Sequence, residues 1–476
     1  MLAPPFYASL GQGAQAFLNF ACVFFLLATA LYTVLLFIAW MSVKKRKRSS
    51  LSLQERILRI SKSAESPPIS IIIPAYNEEA VITDSVKSFL SLSYPKYEVI
   101  VVNDGSHDHS MTVLKEHFQL EEAKIEGYKP LSNSPIRKSY RSKIDPRLIV
   151  IDKTNTGKAD SLNVGIGVAR HDIICSVDAD TIPEPDCLSK TIIPFIDRPG
   201  ETIATGGTVR VINGCQLKSQ KVEKSTLPSN FWALFQVVEY VRVFFCGRVG
   251  WNSFNATIII SGAFGLFSKQ AIIEAGGYSE DSISEDLDLI VKLHRLYREK
   301  KLPYHIEFIP DPVCWTQVPE DISSLYEQRR RWQRGLIETL FDNLGILFNP
   351  KYGTLGCLAF PYHLFVGIFG PAVEILTYLA ILTAHLCGAL NHEIVLTFFI
   401  VGFGYSALIT IGSVWLEEQY YSHNKLKRNF WIMSILGILE NFGFRQLLSL
   451  WRVMSLVVGV RRTKSWRQIP RISFGT

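Results

Sequence analysis

The sequence has no Cys-x-x-Cys pair, and none of its eight cysteines (residues 22, 175, 187, 215, 246, 314, 357 and 387) has a histidine partner at metal-ligand spacing. That absence excludes a thiolate metal site of the usual pattern. Cys22, Cys175 and Cys387 sit inside apolar runs and read as small hydrophobes in a reducing compartment. A spread excess of positive charge is also missing. Of the net +7, five charges come from the single run Lys44-Lys45-Arg46-Lys47-Arg48. Nucleic-acid binding does not follow from so local an excess, whereas a charged membrane face does. Residues 17–41 contain no charge at all, and no positive charge leads into them, which excludes a cleaved signal peptide. No internal repeat is present.

What is there begins with that uncharged run, long enough to cross a bilayer. The basic residues after it put residues 44–48 in the cytoplasm and the N-terminus outside. At 476 residues with 48% apolar content, the chain has room for two or three domains and a sizeable core. From about 65 to 345 its texture changes. "ISIIIPAYN", "YEVIVVNDG", "RLIVIDK" and "DIICSVDAD" are short β-branched runs ending in polar or turn residues, with helical patterns at 79–92 and 158–169 between them. Strands alternating with helices predict an α/β fold with a mostly parallel sheet covered on both faces. Residues 117–146 read as an inserted surface excursion. Apolar character returns after Asn349-Pro350. Residues 358–390, broken by Pro361, Gly367, Gly370 and Pro371, predict an interfacial helix plus a crossing, or two short crossings. Residues 394–416 predict another crossing. Residues 431–460, interrupted by Glu440, Arg445 and Arg452, predict an interfacial or bundle-lining segment, and the basic "RRTKSWRQIPR" predicts a cytoplasmic tail.

Ligands of open parallel sheets sit at the carboxyl ends of the strands, and the acids fall there. Asp104 ends one strand pattern, and Asp178 with Asp180 ends another. Alternation along a strand would send Asp178 and Asp180 to the same side. Two converging carboxylates suit a hard divalent cation that bridges a diphosphate; the alternative is a solvated turn. Lys158 opens a helix, where a cation opposes the helix dipole unless an anion is near; the alternative is a plain surface lysine. Glu285 and Asp286 open another helix, and Ser282 with Glu285 fits a capping box, which local sequence favours over a chemical role. In "TIIISGAFGLFSK" an apolar strand ends in small residues, either for tight packing or as a floor where a sugar ring approaches the backbone at Gly262. In "YEQRRRWQRG", Gln328, Arg331 and Trp332 share one helical face, suited to a diphosphate and a sugar ring. Arg329 and Arg330 point elsewhere, toward lipid head groups.

The order "PAYNEE", "VNDGS", "NTGKADSLN", "DAD", "SGAFGLF", "SED", "QRRRW", ending at a membrane, resembles the processive family 2 glycosyltransferases. These include the cellulose, chitin, hyaluronan and poly-N-acetylglucosamine synthases, and the layout is most similar to the last. The resemblance covers roughly residues 65–345 and implies a GT-A fold and inverting transfer from a UDP-sugar to a polysaccharide acceptor, with Mg2+ or Mn2+. It implies that Tyr76 and Asp104 hold the uracil, that Lys158, Asp178 and Arg331 serve the nucleotide-sugar, and that Asp178 and Asp180 serve the metal. Asp286, beside Glu285, becomes the general base, and Gly262, Gln328 and Trp332 become the acceptor end. Lys464 and Trp466 stand where related synthases carry a gating loop, on a poor match.

Asn103 departs mildly from the usual aspartate. The short stretch after the last apolar segment leaves no room for a cyclic-di-GMP-sensing domain, as a bacterial cellulose synthase would have. The domain expectation is an anchor over 1–43, a cytoplasmic GT-A domain over 44–345, membrane and interfacial helices over 346–460, and a basic tail over 461–476. The implied localisation is multi-pass in the cell membrane, with a bilayer, an accessory membrane subunit and no nucleic acid among the partners. Two other readings stay open: single addition to a lipid-linked or other membrane acceptor, and a catalytically silent membrane scaffold.

Overall fold

The computed structural model describes residues 4–48, 50–125, 127–132, 134–218, 221–421 and 427–457. Its strands are β1 (Ile69–Ala75), β2 (Tyr97–Asn103), β3 (Leu120–Glu122), β4 (Ile136–Ser142), β5 (Leu148–Lys153), β6 (Ile173–Val177), β7 (Ile182–Pro183), β8 (Thr202–Val211), β9 (Gln216–Lys218), β10 (Lys221–Lys224), β11 (Phe264–Ser268) and β12 (His305–Thr316). All but β9 and β10, a separate hairpin, join one ten-stranded sheet in the order β3-β4-β5-β2-β1-β6-β11-β8-β12-β7. The four strands expected from β-branched runs, β5, β2, β1 and β6, lie side by side and parallel. The sheet is more mixed than a simple alternation predicts, because β11 inserts antiparallel between β6 and β8, and β4 and β7 oppose their neighbours. Residues 117–146 are not a detached excursion either; they supply β3 and β4 at the sheet edge.

Both faces of the sheet are buried, and alternation along each strand divides the core in two. Ile71, Ile73, Val99, Val101, Leu148 and Val150 pack on one side. Ile72, Ile100, Val102, Ile149 and Ile151 pack on the other. The first of these cores does not stop at the sheet. It continues through Ala39 and Val43 of the N-terminal helix and through Val414, Leu436 and Trp451 of later helices.

Among the described residues three helices are long and apolar enough to cross a membrane: Tyr7–Arg48, Leu355–Leu386 and His392–Tyr421. The first runs unbroken through the basic residues, so an anchor boundary at residue 43 falls mid-helix. The second is continuous where the sequence predicted a break. Pro361 and Gly367 lie in or beside wide π-turns, Leu355–Ala359 and His363–Phe369, which absorb the missing donor and the loose packing without ending the helix. Of the segment 431–460, the described residues to 457 fall in and between two helices, Lys427–Leu439 and Phe444–Val457, and the charges there turn inward. Arg242 pairs with Glu440 and donates to Thr410 Oγ1 at 2.8 Å, Arg445 lies 3.6 Å from Glu374, and Arg452 Nε donates to Gln333 Oε1 at 2.8 Å. Pairing of this kind is what an apolar surrounding demands of charged groups, so the segment lines the bundle.

The helix Ile322–Asp342 starts at Asp321, whose side chain accepts from Ser324 N at 2.8 Å. It lies tightly against the start of the helix Glu285–Glu299. A Cβ added at Gly335 would stand 1.9 Å from Ser284 Oγ and 2.6 Å from Ser284 Cβ. Gly335→Ala should therefore lower the thermal unfolding midpoint of the purified protein, at a cost of about 1–3 kcal/mol for an overpacked contact. An unchanged midpoint would mean that Ser284 yields freely and that the contact is loose.

Candidate active site

Lys158 is the first residue of the helix Lys158–Val168, delivered there by Gly157 at φ +106°. Its ammonium lies 2.7 Å from Asp178 Oδ1 and 2.5 Å from Glu285 Oε1, joining the end of β6 to the start of the helix Glu285–Glu299. Burial opposes the charge, but Asp178, Glu285 and Asp286 outweigh it and hold the ammonium well above its ordinary value. Gly262 completes the cluster. A side chain there would begin 2.9 Å from Lys158 Nζ and 3.3 Å from Asp286 Oδ2. It is two side chains, Lys158 and Asp286, that come close to the backbone here, and the strand expected before Gly262 does not form: residues 257–261 are irregular and Gly262 sits in the turn that leads into β11.

Asp286 accepts from Gly262 N at 2.9 Å through Oδ2 and from Leu287 N at 2.8 Å through Oδ1. Burial, and then the adjacent Glu285 charge, push its carboxyl above the ordinary value, against the pull of Lys158 and the two amides. The expected capping box does not form. The helix starts at Glu285 with Ser284 as its N-cap, which makes no side-chain cap bond, and Ser282 Oγ accepts only from Ser284 N at 3.3 Å. Glu285 faces Lys158 instead, because the helix begins too late for its side chain to serve Ser282.

Asp178 and Asp180 lie beyond the last residue of β6, in a turn, where strand alternation no longer applies. Their surroundings differ. The Asp178 side chain is 33% exposed beside Lys158, whereas Asp180 is 5% exposed. Among the described residues no group of three or more His, Cys, Asp or Glu side chains is arranged to hold a metal ion. Two hard carboxylate donors, one already facing a cation, still fit Mg2+ or Mn2+, which bind through one or two carboxylates and fill the remaining positions with water and phosphate oxygens.

Asp104 follows β2 and is buried. Its Oδ1 accepts from Thr156 N at 3.0 Å and Oδ2 from Gly157 N at 2.8 Å, so it grips the loop that leads to Lys158. Tyr76 is 36% exposed on the neighbouring loop, its ring edge-on to His107 with centroids 6.3 Å apart. Asn77, at φ +54°, ties the two loops together by accepting from His107 N at 2.8 Å.

On the helix Ile322–Asp342, Trp332 is 39% exposed, Gln328 is buried with its Oε1 unpartnered, and Arg331 is half-buried with no ion pair among the described residues. Gly335 lies one turn beyond Trp332 against Ser284, which brings this face of the helix to the Glu285–Asp286 corner. Arg329 does not reach lipid. It is buried, donates to Glu239 Oε1 at 2.7 Å and lies 4.5 Å from the Trp332 ring centroid. Arg330 pairs along its own helix with Glu327 at 3.6 Å.

Sequence reasoning missed several contributors. Glu239 and Tyr240 are one pair: burial raises the Tyr240 phenol to about 12, with Arg329 pulling it down and Asp180 among the charges pushing it up. Arg248 stacks 4.3 Å from the Phe244 ring centroid, its Nε and Nη1 without a hydrogen-bond partner among the described residues, and burial lowers its guanidinium to about 10 against the charge of Asp286. Nothing in "RVFFCGRVGW" distinguishes that arginine from an apolar helix's solubilising charge. Lys464 and Trp466 lie outside the described residues.

This arrangement can neutralise a phosphate-bearing ligand, hold a sugar on an aromatic platform and present a carboxylate base. Comparison with known proteins agrees with that chemistry. Residues 70–251 match the model of glycosyl transferase family 2, and residues 173–411 match that of glycosyl transferase family group 2. A poly-beta-1,6-N-acetyl-D-glucosamine synthase of Staphylococcus epidermidis is 29% identical over 292 residues, 61% of this chain and 60% of that protein. One from Staphylococcus aureus strain COL is 29% identical over 309 residues, 65% and 62% of the two chains. The chain thus spans about 60% of the length of these relatives. Two solved structures are similar at lower level. The mannosyltransferase PcManGT from Pyrobaculum calidifontis, in complex with GDP-Man and Mn2+, has a TM-score of 0.48 at 17% identity and covers 86% of this chain and 99% of its own. TarS 1–349 of S. aureus, in complex with UDP-GlcNAc, has a TM-score of 0.39 at 14% identity and covers 81% and 92%. With half its length, residues 173–411, inside one family model and the motifs in register with the cluster around Lys158, the chain belongs to glycosyl transferase family group 2 and is a glycosyltransferase.

Proposed function

We propose that this glycosyltransferase is an inverting membrane enzyme that passes a sugar from a UDP-sugar to a growing β-linked polysaccharide. N-acetylglucosamine is the donor sugar best supported, from the relatives' own product. One observation carries the reading: Lys158 joined to Asp178 and Glu285, with Asp286 beside it and a side-chain-free floor at Gly262. A nucleoside diphosphate would exchange for those carboxylates at Lys158, and Arg331, which has no ion pair among the described residues, would add a second cation. Tyr76 and the Asp104 loop then border the uracil, and Trp332 with Gln328 receives the acceptor. The catalytic part faces the cytoplasm, where the basic end of the first apolar helix points.

In the transfer itself, an acceptor hydroxyl oxygen forms a bond to the donor's anomeric carbon as the bond from that carbon to the diphosphate oxygen breaks. The hydroxyl proton goes to Asp286, and UDP leaves with the bonding pair; a single displacement inverts the anomeric configuration. Divalent metal held through Asp178 and Asp180 would supply charge stabilisation to the leaving diphosphate. The amides of Gly262 and Leu287 fix the direction of the Asp286 carboxylate. Its raised proton affinity suits a base that must accept a proton in the transition state.

A panel of labelled UDP-sugars given to purified membranes, with sizing of the product, tests the donor and separates polymer synthesis from single addition; no incorporation from any of them would refute the reading. For the base, a carboxyl held above its ordinary value means that activity should be present at higher pH and lost as pH falls through a value above that of an ordinary aspartate. Asp286→Asn should lower transfer by roughly 100- to 10,000-fold with UDP affinity retained, and normal polymer yield from it would remove Asp286 from the mechanism. For the metal, excess EDTA and Asp180→Asn should each abolish transfer and weaken cation-dependent UDP binding. Full activity in EDTA would exclude a required divalent ion.

A further inference from the structure

Lys153, the last residue of β5, has none of its surface exposed. An ammonium so placed is tolerated only with complete pairing, and Lys153 has it. Its Nζ donates to Asp104 Oδ1 at 2.5 Å, to Thr156 Oγ1 at 2.5 Å and to the carbonyl of Thr154 at 2.8 Å, and lies 2.7 Å from Asp160 Oδ2. The two carboxylates come from different elements: Asp104 from the end of β2, Asp160 from the first turn of the helix that Lys158 opens. Burial alone would raise the Asp160 carboxyl, but hydrogen bonds from Lys153, Ser132 and Thr156 hold it below its ordinary value. Between these anchors runs the loop 154–157. Its Thr156 and Gly157 amides donate to Asp104, and Asn155 Nδ2 donates to the Asp104 carbonyl at 2.9 Å.

The lysine therefore lies behind the loop that carries Lys158, bonded to both carboxylates that anchor it, Asp104 and Asp160, and none of its own surface is open to a ligand. A buried ion pair is a poor source of net stability, and well-packed apolar residues serve as well. What a cation here does that an apolar residue cannot is fix the direction of Asp104 and hence of the two amides ahead of Lys158. We propose that Lys153 is a positioning residue for the nucleoside diphosphate, which holds the 154–158 loop in its ligand-ready form before any ligand arrives. The inference rests on Lys158 being the diphosphate contact.

The test uses the full chain in detergent or nanodiscs, with UDP as the binding probe and the productive UDP-sugar for kinetics. Lys153→Met should raise the UDP Kd and the donor KM by about 10- to 100-fold, the worth of one charge-assisted hydrogen bond, while kcat changes little. Lys153→Met combined with Asp160→Asn restores the charge balance and should recover thermal stability without recovering UDP affinity. Wild-type UDP affinity in either variant would overturn the proposal, since Lys153 would then only neutralise Asp160. Hydrogen exchange on the unmodified chain needs no variant to fold. The Thr156 and Gly157 amides should be protected before UDP is added, and fast exchange that slows only with UDP would mean that the ligand sets the loop. A wild-type chain that binds no UDP sinks the functional reading beneath this one, whereas wild-type binding with an unaffected variant sinks this inference alone.

Discussion

Three carboxylates, Asp178, Glu285 and Asp286, are brought to one corner from segments about a hundred residues apart, and the Lys158 ammonium is what allows them to stay there. Unlike unit charges about 4 Å apart attract by about 4 kcal/mol at an effective dielectric of 20, and like charges at that distance repel as strongly. The lysine offsets a repulsion that would otherwise oppose bringing the end of β6 to the start of the helix Glu285–Glu299. Much of the surrounding sequence is arranged to let that one cation reach its place. Gly262 leaves the space it enters, Gly157 turns the chain into its helix, and Gly335 lets the neighbouring helix close over the corner.

The same demand for paired charge organises the junction between sheet and apolar helices. The two share one hydrophobic core, so polar groups at their boundary must find partners inside it. Arg46, near the end of the first long helix, meets Asp311 of β12 at 2.5 Å, and Tyr420 of the third donates to the same carboxylate at 2.9 Å. Arg210 of β8 lies 3.4 Å from Glu417 and 4.2 Å from the Tyr421 ring centroid. Both ties hold the sheet at a fixed attitude to the helices. The helix Ile322–Asp342 lies within that frame, connected to the bundle through Gln333 and Arg452.

The three consecutive arginines of "YEQRRRWQRG" show how helical periodicity divides one charge run among several tasks. Successive residues turn by about 100°, so Arg329 enters the interior to meet Glu239, Arg330 stays with Glu327, and Arg331 is half-buried with no ion pair among the described residues. The Trp332 ring, packed against the Arg329 guanidinium, is a platform whose electron-rich face is already engaged on one side. The five-residue basic run near residue 46 is divided in the same way, with Arg46 turned inward to Asp311 and Lys44 lying over Trp40.

The four parallel strands β1, β2, β5 and β6, the apolar helices and the order of the motifs were legible in the sequence because each rests on local pattern: β-branched runs, uncharged stretches, and turn residues next to acids. The family followed from that order. Pairing was not legible. No local signal inserts β11 antiparallel between β6 and β8, or adds residues 136–142 to the sheet edge, since register is decided by contacts far apart in the chain. Glu285 shows the difference most clearly. By sequence its best partner was Ser282, three residues away; in the fold it is Lys158, 127 residues away, because a cation in a partly buried site outweighs a capping bond that late helix onset had already removed. Lys153 and Arg248 were silent for the same reason, as a lone charge at a strand end or in an apolar helix acquires meaning only from what tertiary packing sets against it. Sequence alone determined the elements and the kind of chemistry, and tertiary structure decided which charges meet, because electrostatic energy depends on distance in space and not along the chain.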